Sequence, residues 1–275
     1  MAATNDRWTR VVGTASVGTL PSYPGRRYGD RVGYRIEPGA PESRVLLHVP
    51  HAATAIPPEA RAGLLLDDAE LVAELEAMTD AGTDVVSAGA ADRARTRPWA
   101  FVNELSRLVV DPERFPDARE AMAAVGMGAV YTRTSDGRPL RTDDDPGLVA
   151  RWFEPYARAV TELVRARLDA VGAVTIVDVH SYPVQRLPYE RGGADRPAIC
   201  IGTDDYHTPQ WLVDLVTGAF AGCGESAVNT PFAGCYVPLA YYGLDPRVTG
   251  VMVEARRDVG PQLLVPALTR LIDGL

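Results

Sequence analysis

The sequence predicts an α/β protein whose sheet is covered on both faces, and three observations carry that reading. Segments of strand character alternate with segments of helical period along most of the chain. The 275 residues, 46% hydrophobic and 23% charged, can bury a full core and suit one large domain better than two. No internal repeat and no linker interrupts them. A single catalytic-sized domain over residues 1–275 is expected, with 1–43 an irregular N-terminal arm and 44–275 the α/β core.

The arm is rich in Gly, Pro, Ser and Arg, ends in "RIEPGAPES" and holds no sustained period, which suits an irregular segment or a strand pair. The core opens with a strand, "RVLLHVP", from Arg44 to Pro50. "DDAELVAELEAM", Asp67 to Met78, reads as a helix, because Asp67 is placed to cap it and Glu70 follows three residues later. "WAFVNEL" and "SRLVVD" both look like strand material, separated by a bend. From Asp117 to about Pro146, Gly, Asp, Thr and Arg crowd a loop whose length points to function or mobility. The clearest helix runs from Leu148 to about Val171, with Pro155 tolerable if the regular helix begins near it. "TIVDVHSYP" (Thr175 to Pro183) and "PAICIGT" are strands, "TPQWLVDLVTGAFAGC" is a helix, "SAVNT" and "VTGVMVEA" are strands, and "GPQLLVPALTRLIDGL" closes the chain as a helix.

Composition narrows the function classes. No apolar run approaches the roughly eighteen residues that span a bilayer, and "MAATNDRWTRVVG" lacks the basic-then-apolar layout of a secretion signal, so a soluble cytoplasmic protein is expected. Cys200, Cys223 and Cys235 are an odd set without CxxC spacing, which suits buried apolar residues rather than disulfides or a thiolate zinc site. The formal net charge of -8 argues against nucleic acid. The basic residues are Arg rather than Lys, a bias that suits bidentate recognition of carboxylates and that base composition also produces.

In sheets of this kind sites gather at the carboxyl ends of strands. Side chains two apart on a strand face the same way, so Asp178 and His180 emerge side by side. A His–carboxylate pair is common both in cores and behind metal ligands, and the residues alone leave both readings open. His51 and His180 each stand where a strand runs out, followed by small residues in "HAAT" and "HSYP". Glu254 ends an otherwise apolar strand, where a carboxylate needs a partner, a proton or a job. Two histidines, one ligating carboxylate and a second carboxylate free to act as base form the inventory of a hydrolytic zinc site. The residues are scattered, without HExxH or another tight local motif.

Six blocks in order, "HVPHAATAIPPEAR", "MTDAGTDVV", "SRLVVDPERF", "DVHSYP", "PFAGCYVPLAYYG" and "VMVEARRD", resemble the N-formylglutamate amidohydrolase family over roughly residues 44 to 260. That family is similar to the zinc carboxypeptidases and the aspartoacylase group. The resemblance implies a three-layer α/β/α domain with a mixed, mostly parallel sheet of the zinc-carboxypeptidase-like (phosphorylase/hydrolase-like) type. It implies one Zn2+ ion and hydrolysis of an amide beside a carboxylate, with a small N-acyl amino acid or short peptide as partner. A homo-oligomer is left open. A carboxypeptidase-like peptide hydrolase and a metal-free binding protein retaining the fold are the rival readings.

Carried over by position, the resemblance makes His51 and His180 zinc ligands. Relatives outside the family use a Glu three residues after the first His, where this chain has Thr54, so Asp80 is the first choice for third ligand and Asp84 the alternative, on the same face if that stretch is helical. Asp178 orients His180 or a neighbour. Glu254 corresponds to the general base and acid, Arg107 to the group that steadies the oxyanion, and Arg114 to a fork for the substrate carboxylate. Arg257 is expected to pair with a substrate acid or with Asp111. Arg133 and Arg138, in "TRTSDGRPL", belong to a loop that closes over the site or to a polar turn built on Asp136 and Gly137.

The departures bear on substrate. Where the family reads DLNR this chain reads "DPER", and Glu113 in place of the Asn would repel a carboxylate. Ala53 and Cys235 replace family glycines. These changes point away from N-formylglutamate itself and leave the hydrolytic machinery intact. His48, three before His51, is expected on the opposite face of an extended strand in a structural role. His207 reads as a solvated residue ahead of a helix, and Tyr182, Tyr236, Tyr241 and Tyr242 as packing or as a donor to substrate.

Overall fold

The computed structural model describes residues 33–143, 145–190 and 195–275. Most of the expected arm, residues 1–32, lies outside the described residues. Its end forms β1 (Tyr34–Glu37), which enters the sheet antiparallel to β3.

Among the described residues seven strands make one sheet in the order β1-β3-β2-β4-β7-β5-β6. β2 (Val45–Val49), β3 (Trp99–Asn103), β4 (Val174–Tyr182) and β7 (Val248–Arg256) run parallel, as do β5 (Ile199–Gly202) and β6 (Ser226–Val228). The β5–β7 pairing is antiparallel, so the sheet is mixed and mostly parallel, as expected. The helices are α1 (Pro58–Arg61), α2 (Asp68–Met78), α3 (Thr83–Arg93), α4 (Pro146–Leu148), α5 (Glu154–Val171), α6 (Gln210–Phe220) and α7 (Pro261–Gly274).

The period-two alternation of the central strands sorts the layers. Val45, Leu47, Val177, Val179, Val251 and Val253 pack with α3, α6 and α7 on one face. Leu46, Phe101, Ile176 and Val248 pack with Tyr156, Val160 and Leu163 of α5 on the other. Continuing that second parity up the parallel strands reaches His48, Asp178, His180 and Glu254. The site is therefore the polar, carboxyl-end continuation of the α5 face.

Local signals account for the helix boundaries. Asp67 accepts from the Glu70 amide and Glu70 reaches back to the Asp67 amide, completing the capping box ahead of α2. A π turn, Val149–Phe153, joins α4 to α5, and the regular helix starts at Glu154, so Pro155 falls in its first turn next to the π turn.

Two expectations are corrected, and one helix appears that the sequence does not signal. "SRLVVD" is a turn and not a strand: the Ser106 carbonyl accepts from the Val109 amide, its hydroxyl accepts from the Leu108 amide, and Leu108 and Val109 are buried in loop packing. A short apolar run does not distinguish these outcomes. α3 carries no helical signal because Ala, Gly and Ser dominate its face; Gly89 lets α7 approach so closely that a Cβ there would lie 3.2 Å from Val265. His207 is fully buried rather than solvated, donating from Nδ1 to the Val248 carbonyl at 2.7 Å and accepting the Gly243 amide at Nε2 at 2.8 Å.

Candidate active site

Three chain segments meet at the carboxyl ends of β2, β4 and β7. His51 follows β2 after the bend at Pro50, and His180 and Glu254 face each other across the β4–β7 register. Asp80 lies in the corner between α2 and α3. The Gly82 φ of 84° turns the chain there, the Asp80 amide donates to the His51 carbonyl at 3.0 Å, and the Asp80 carbonyl accepts the Thr83 hydroxyl at 2.9 Å. Arg257 holds the same corner to β7 by donating to the carbonyls of Glu76, Ala77 and Thr79 at the end of α2.

The donor atoms converge. Asp80 Oδ2 lies 2.9 Å from His180 Nδ1 and 3.6 Å from His51 Nδ1. All three side chains are buried, and one ligand atom from each falls within 4.8 Å of the others. Donors around a tetrahedral zinc ion, at bonds of about 2.0–2.2 Å, stand roughly 3.3–3.5 Å apart, a span these distances bracket. His51 Nδ1 is buried without a hydrogen-bond partner among the described residues and faces Asp80. The group fits a divalent metal.

The opposite ring nitrogens meet carboxylates. His51 Nε2 donates to Asp111 Oδ1 at 2.9 Å, and His180 Nε2 lies 3.1 Å from Asp178 Oδ2. The Asp111 bond fixes the His51 tautomer that leaves its Nδ1 free to ligate, whereas His180 turns Nδ1 onto Asp80 and its Nε2 makes no hydrogen bond to the described residues. Asp111 is fully buried and also takes Arg107 at 2.7 Å, the Tyr131 hydroxyl and the Glu113 amide. Asp178 takes His48 Nδ1 at 2.8 Å and the Tyr236 amide at 3.2 Å, while Tyr156 donates to His48 Nε2 at 2.6 Å. The expectation that His48 and His51 part to opposite faces fails because the strand ends at Val49; both rings reach the Glu113 carboxylate.

Electrostatics mark the place as one built for a cation. Burial works against protonation of His180, yet the charges of Asp178 and Glu113 hold it well above the ordinary imidazole value, and His51 is raised despite burial and Arg107. Burial acts to raise Asp80, but the two histidines hold it well below the carboxylate range. Glu254 goes the other way: burial pushes it up to about 8, against the pull of His180. Its Oε2 has no hydrogen-bond partner among the described residues.

The cluster opens into a cleft of about 510 Å³ lined by His51, Asp80, Arg107, Arg114, His180 and Glu254. Arg107 donates to Tyr131 at 2.9 Å besides Asp111, and its remaining nitrogen is 3.9 Å from Asp80. Arg114 stands 3.4 Å from Asp111 and borders the cleft, with no hydrogen bond from its guanidinium to the described residues. Arg257 borders the cleft but spends its terminal nitrogens on α2 and does not reach Asp111. Asp84 sits in the first turn of α3 outside the ligand group, so no common helix face joins it to Asp80. Arg133 is exposed, donates to the Gly137 carbonyl and does not line the cleft. Tyr131 and Tyr156 enter the site without a sequence signal that marks them, and Glu113 is marked only by its departure from the family pattern.

A family model described as N-formylglutamate amidohydrolase matches residues 43–259. The fold is similar to that of an N-formylglutamate amidohydrolase from Ralstonia eutropha JMP134, at TM-score 0.71 and 20% identity, covering 88% of this chain and 96% of that one. A gene product of Agrobacterium tumefaciens superposes at TM-score 0.64 and 20% identity, over 88% and 92% of the two chains. No curated protein sequence matches the chain. Among the described residues no helix is long and apolar enough to cross a membrane.

Proposed function

Because the chain belongs to the N-formylglutamate amidohydrolase family, a family of hydrolases of amide C–N bonds, we propose that it cleaves the amide of a small N-acyl amino acid using one zinc ion held by His51, Asp80 and His180. The observation that carries this reading is the pairing of a convergent Nδ1/Nδ1/carboxylate donor set with a second, unpartnered carboxylate, Glu254, beside it in one cleft.

Zinc in that cage supplies the Lewis acidity that brings the pKa of water towards about 7. Positive charge beside Glu254 favours its ionised form, from which it takes a proton from water and returns it to the leaving amine. Arg107, held flat between Asp111 and Tyr131, offers its free edge to the oxyanion as the carbonyl becomes tetrahedral. Arg114 forks onto the acid group of the substrate. The cleft, at about 510 Å³, has room for an acyl group larger than formyl, which keeps short blocked peptides within reach as substrates.

Elemental analysis of the purified protein and of His180→Ala tests the reading. Near-stoichiometric zinc that is lost in the variant, with turnover on a panel of N-acyl amino acids, is expected. No metal in the wild-type protein after zinc is supplied overturns it.

A further inference from the structure

Glu113 is the cage residue that the reaction above leaves without work. It stands in the turn between Asp111 and Arg114, yet it makes no ion pair with Arg114 among the described residues. Its carboxylate is turned onto the imidazoles instead. Oε2 lies 3.3 Å from His180 Nε2 and 3.6 Å from His51 Nε2, and Oε1 lies 3.4 Å from His48 Nδ1. The side chain is 16% exposed. One carboxylate thus touches three histidines, on the side of the His51 and His180 rings away from Asp80.

We propose that Glu113 is a positioning residue for the metal cage, a shared anion set against the rings of His51 and His180 that holds them in place through its charge, and that it does not contact the substrate. The inference rests on the reading of His51 and His180 as ligands through Nδ1. To ligate there, each ring carries its proton on Nε2 and needs an acceptor behind it. His51 has Asp111 for that purpose. His180 Nε2 lies 3.1 Å from Asp178 but makes no hydrogen bond there, and Asp178 is already claimed by His48 and by the Tyr236 amide. Glu113 sets a further negative charge 3.3–3.6 Å from the three rings, where it acts on their orientation as an anion. With its charge turned to the imidazoles, Glu113 adds no second anion to the Asp111 carboxylate beside Arg114.

The test compares zinc affinity of the full-length wild-type protein and Glu113→Gln by competition with a chromophoric chelator, with kcat and KM taken at saturating zinc. A loss of about 10–100-fold in zinc affinity is expected, the range for removing a partner behind a ligand, with KM for the acidic substrate within about twofold. Unchanged affinity overturns the proposal, as does a large rise in KM with affinity intact, which would place Glu113 against the substrate. Should the variant fail to fold, ¹⁵N-histidine spectra of the zinc-loaded wild-type protein decide. Protons held in hydrogen bonds on Nε2 of both His51 and His180 are expected, and a His180 without its Nε2 proton overturns the inference. Failure of the zinc reading itself shows separately, as a wild-type protein that takes up no zinc.

Discussion

His180 on β4 and Glu254 on β7 are paired residue for residue in a parallel register, on the face of the sheet shared with α5. That register brings a metal-ligating type of side chain and a free carboxylate together without any loop having to place them. Rigid strands hold such geometry more closely than loops do.

Replacing Glu254 by Gln keeps the shape of the side chain and removes its proton transfer. Turnover is expected to fall by roughly 10²–10⁴-fold while zinc content stays at the wild-type level. Steady-state kinetics and elemental analysis on the same preparation check it. Loss of metal along with turnover would make Glu254 a ligand instead.

The raised pKa of Glu254 also sets a direction for stability in the metal-free protein. Its value rises from 4.5 to about 8 on folding, through burial, with His180 opposing and Asp80 assisting. Between those values the folded chain holds a proton that the unfolded chain has released, so the contribution of this carboxyl to stability is full below about pH 4.5 and drains away as pH rises to about 8. Thermal melts of the metal-free protein across that window should show a decline, and Glu254→Gln should lessen it, leaving the part that the raised His48, His51 and His180 contribute above about pH 6.5. A wild-type melting temperature that rises from this carboxyl over the same window would contradict the assignment.

Zinc binding carries the complementary pH dependence. His51 and His180 are both held above the ordinary imidazole value of 6.5 when no metal is present, and ligation requires them to lose that proton. Affinity should therefore fall as pH drops from 8 to 6, with proton release on binding measurable by calorimetry in buffers of different ionisation enthalpy. Affinity flat across this range would mean that the rings are neutral before the metal arrives.

The helices of this protein show what a sequence carries locally and what it does not. The cap at Asp67 and Glu70 and the placing of Pro155 are short-range facts, and the folded chain keeps both. The segment around Leu108 and Val109 is equally apolar, but its fate as a buried turn depends on Ala55 and Ala129, distant partners for its backbone groups. Within the site, Asp178 and His180 are legible as neighbours because strand period alone makes them so. The link from Asp178 to His48 requires the β2–β4 register, which sets the two opposite each other. Glu113 was visible only as a departure from its family, since nothing local shows a carboxylate turning towards three rings.

Asp111 joins the cage to the oxyanion group, and Asp111→Asn should damage both. His51 loses its anionic partner, with an expected fall of about 10–100-fold in zinc affinity. Arg107, only 12% exposed, loses its 2.7 Å ion pair, a type of loss that costs about 3 kcal/mol or more when a charge is left buried. Chelator competition and urea unfolding measure the two effects separately. A variant as stable as the wild type would show that Tyr131 or Asp80 takes over the guanidinium.

Gly202, the last residue of β5, controls the far wall of the cleft. A Cβ at this position would sit 2.2 Å from the Gly234 carbonyl oxygen and 2.4 Å from the Met252 methyl. The methionine can move, but the carbonyl belongs to backbone, so the segment around Gly234 has to shift. Two residues on, the Tyr236 amide donates to Asp178 and its ring stacks on His48 at 4.1 Å. A displaced wall therefore reaches the residues behind His180. Gly202→Ala should cost about 1–3 kcal/mol in stability as an overpacked site and lower kcat/KM more than it lowers zinc content. Urea unfolding and kinetics at saturating zinc distinguish this from a purely structural defect: wild-type kcat/KM in the folded variant would show that the wall is not coupled to the cage.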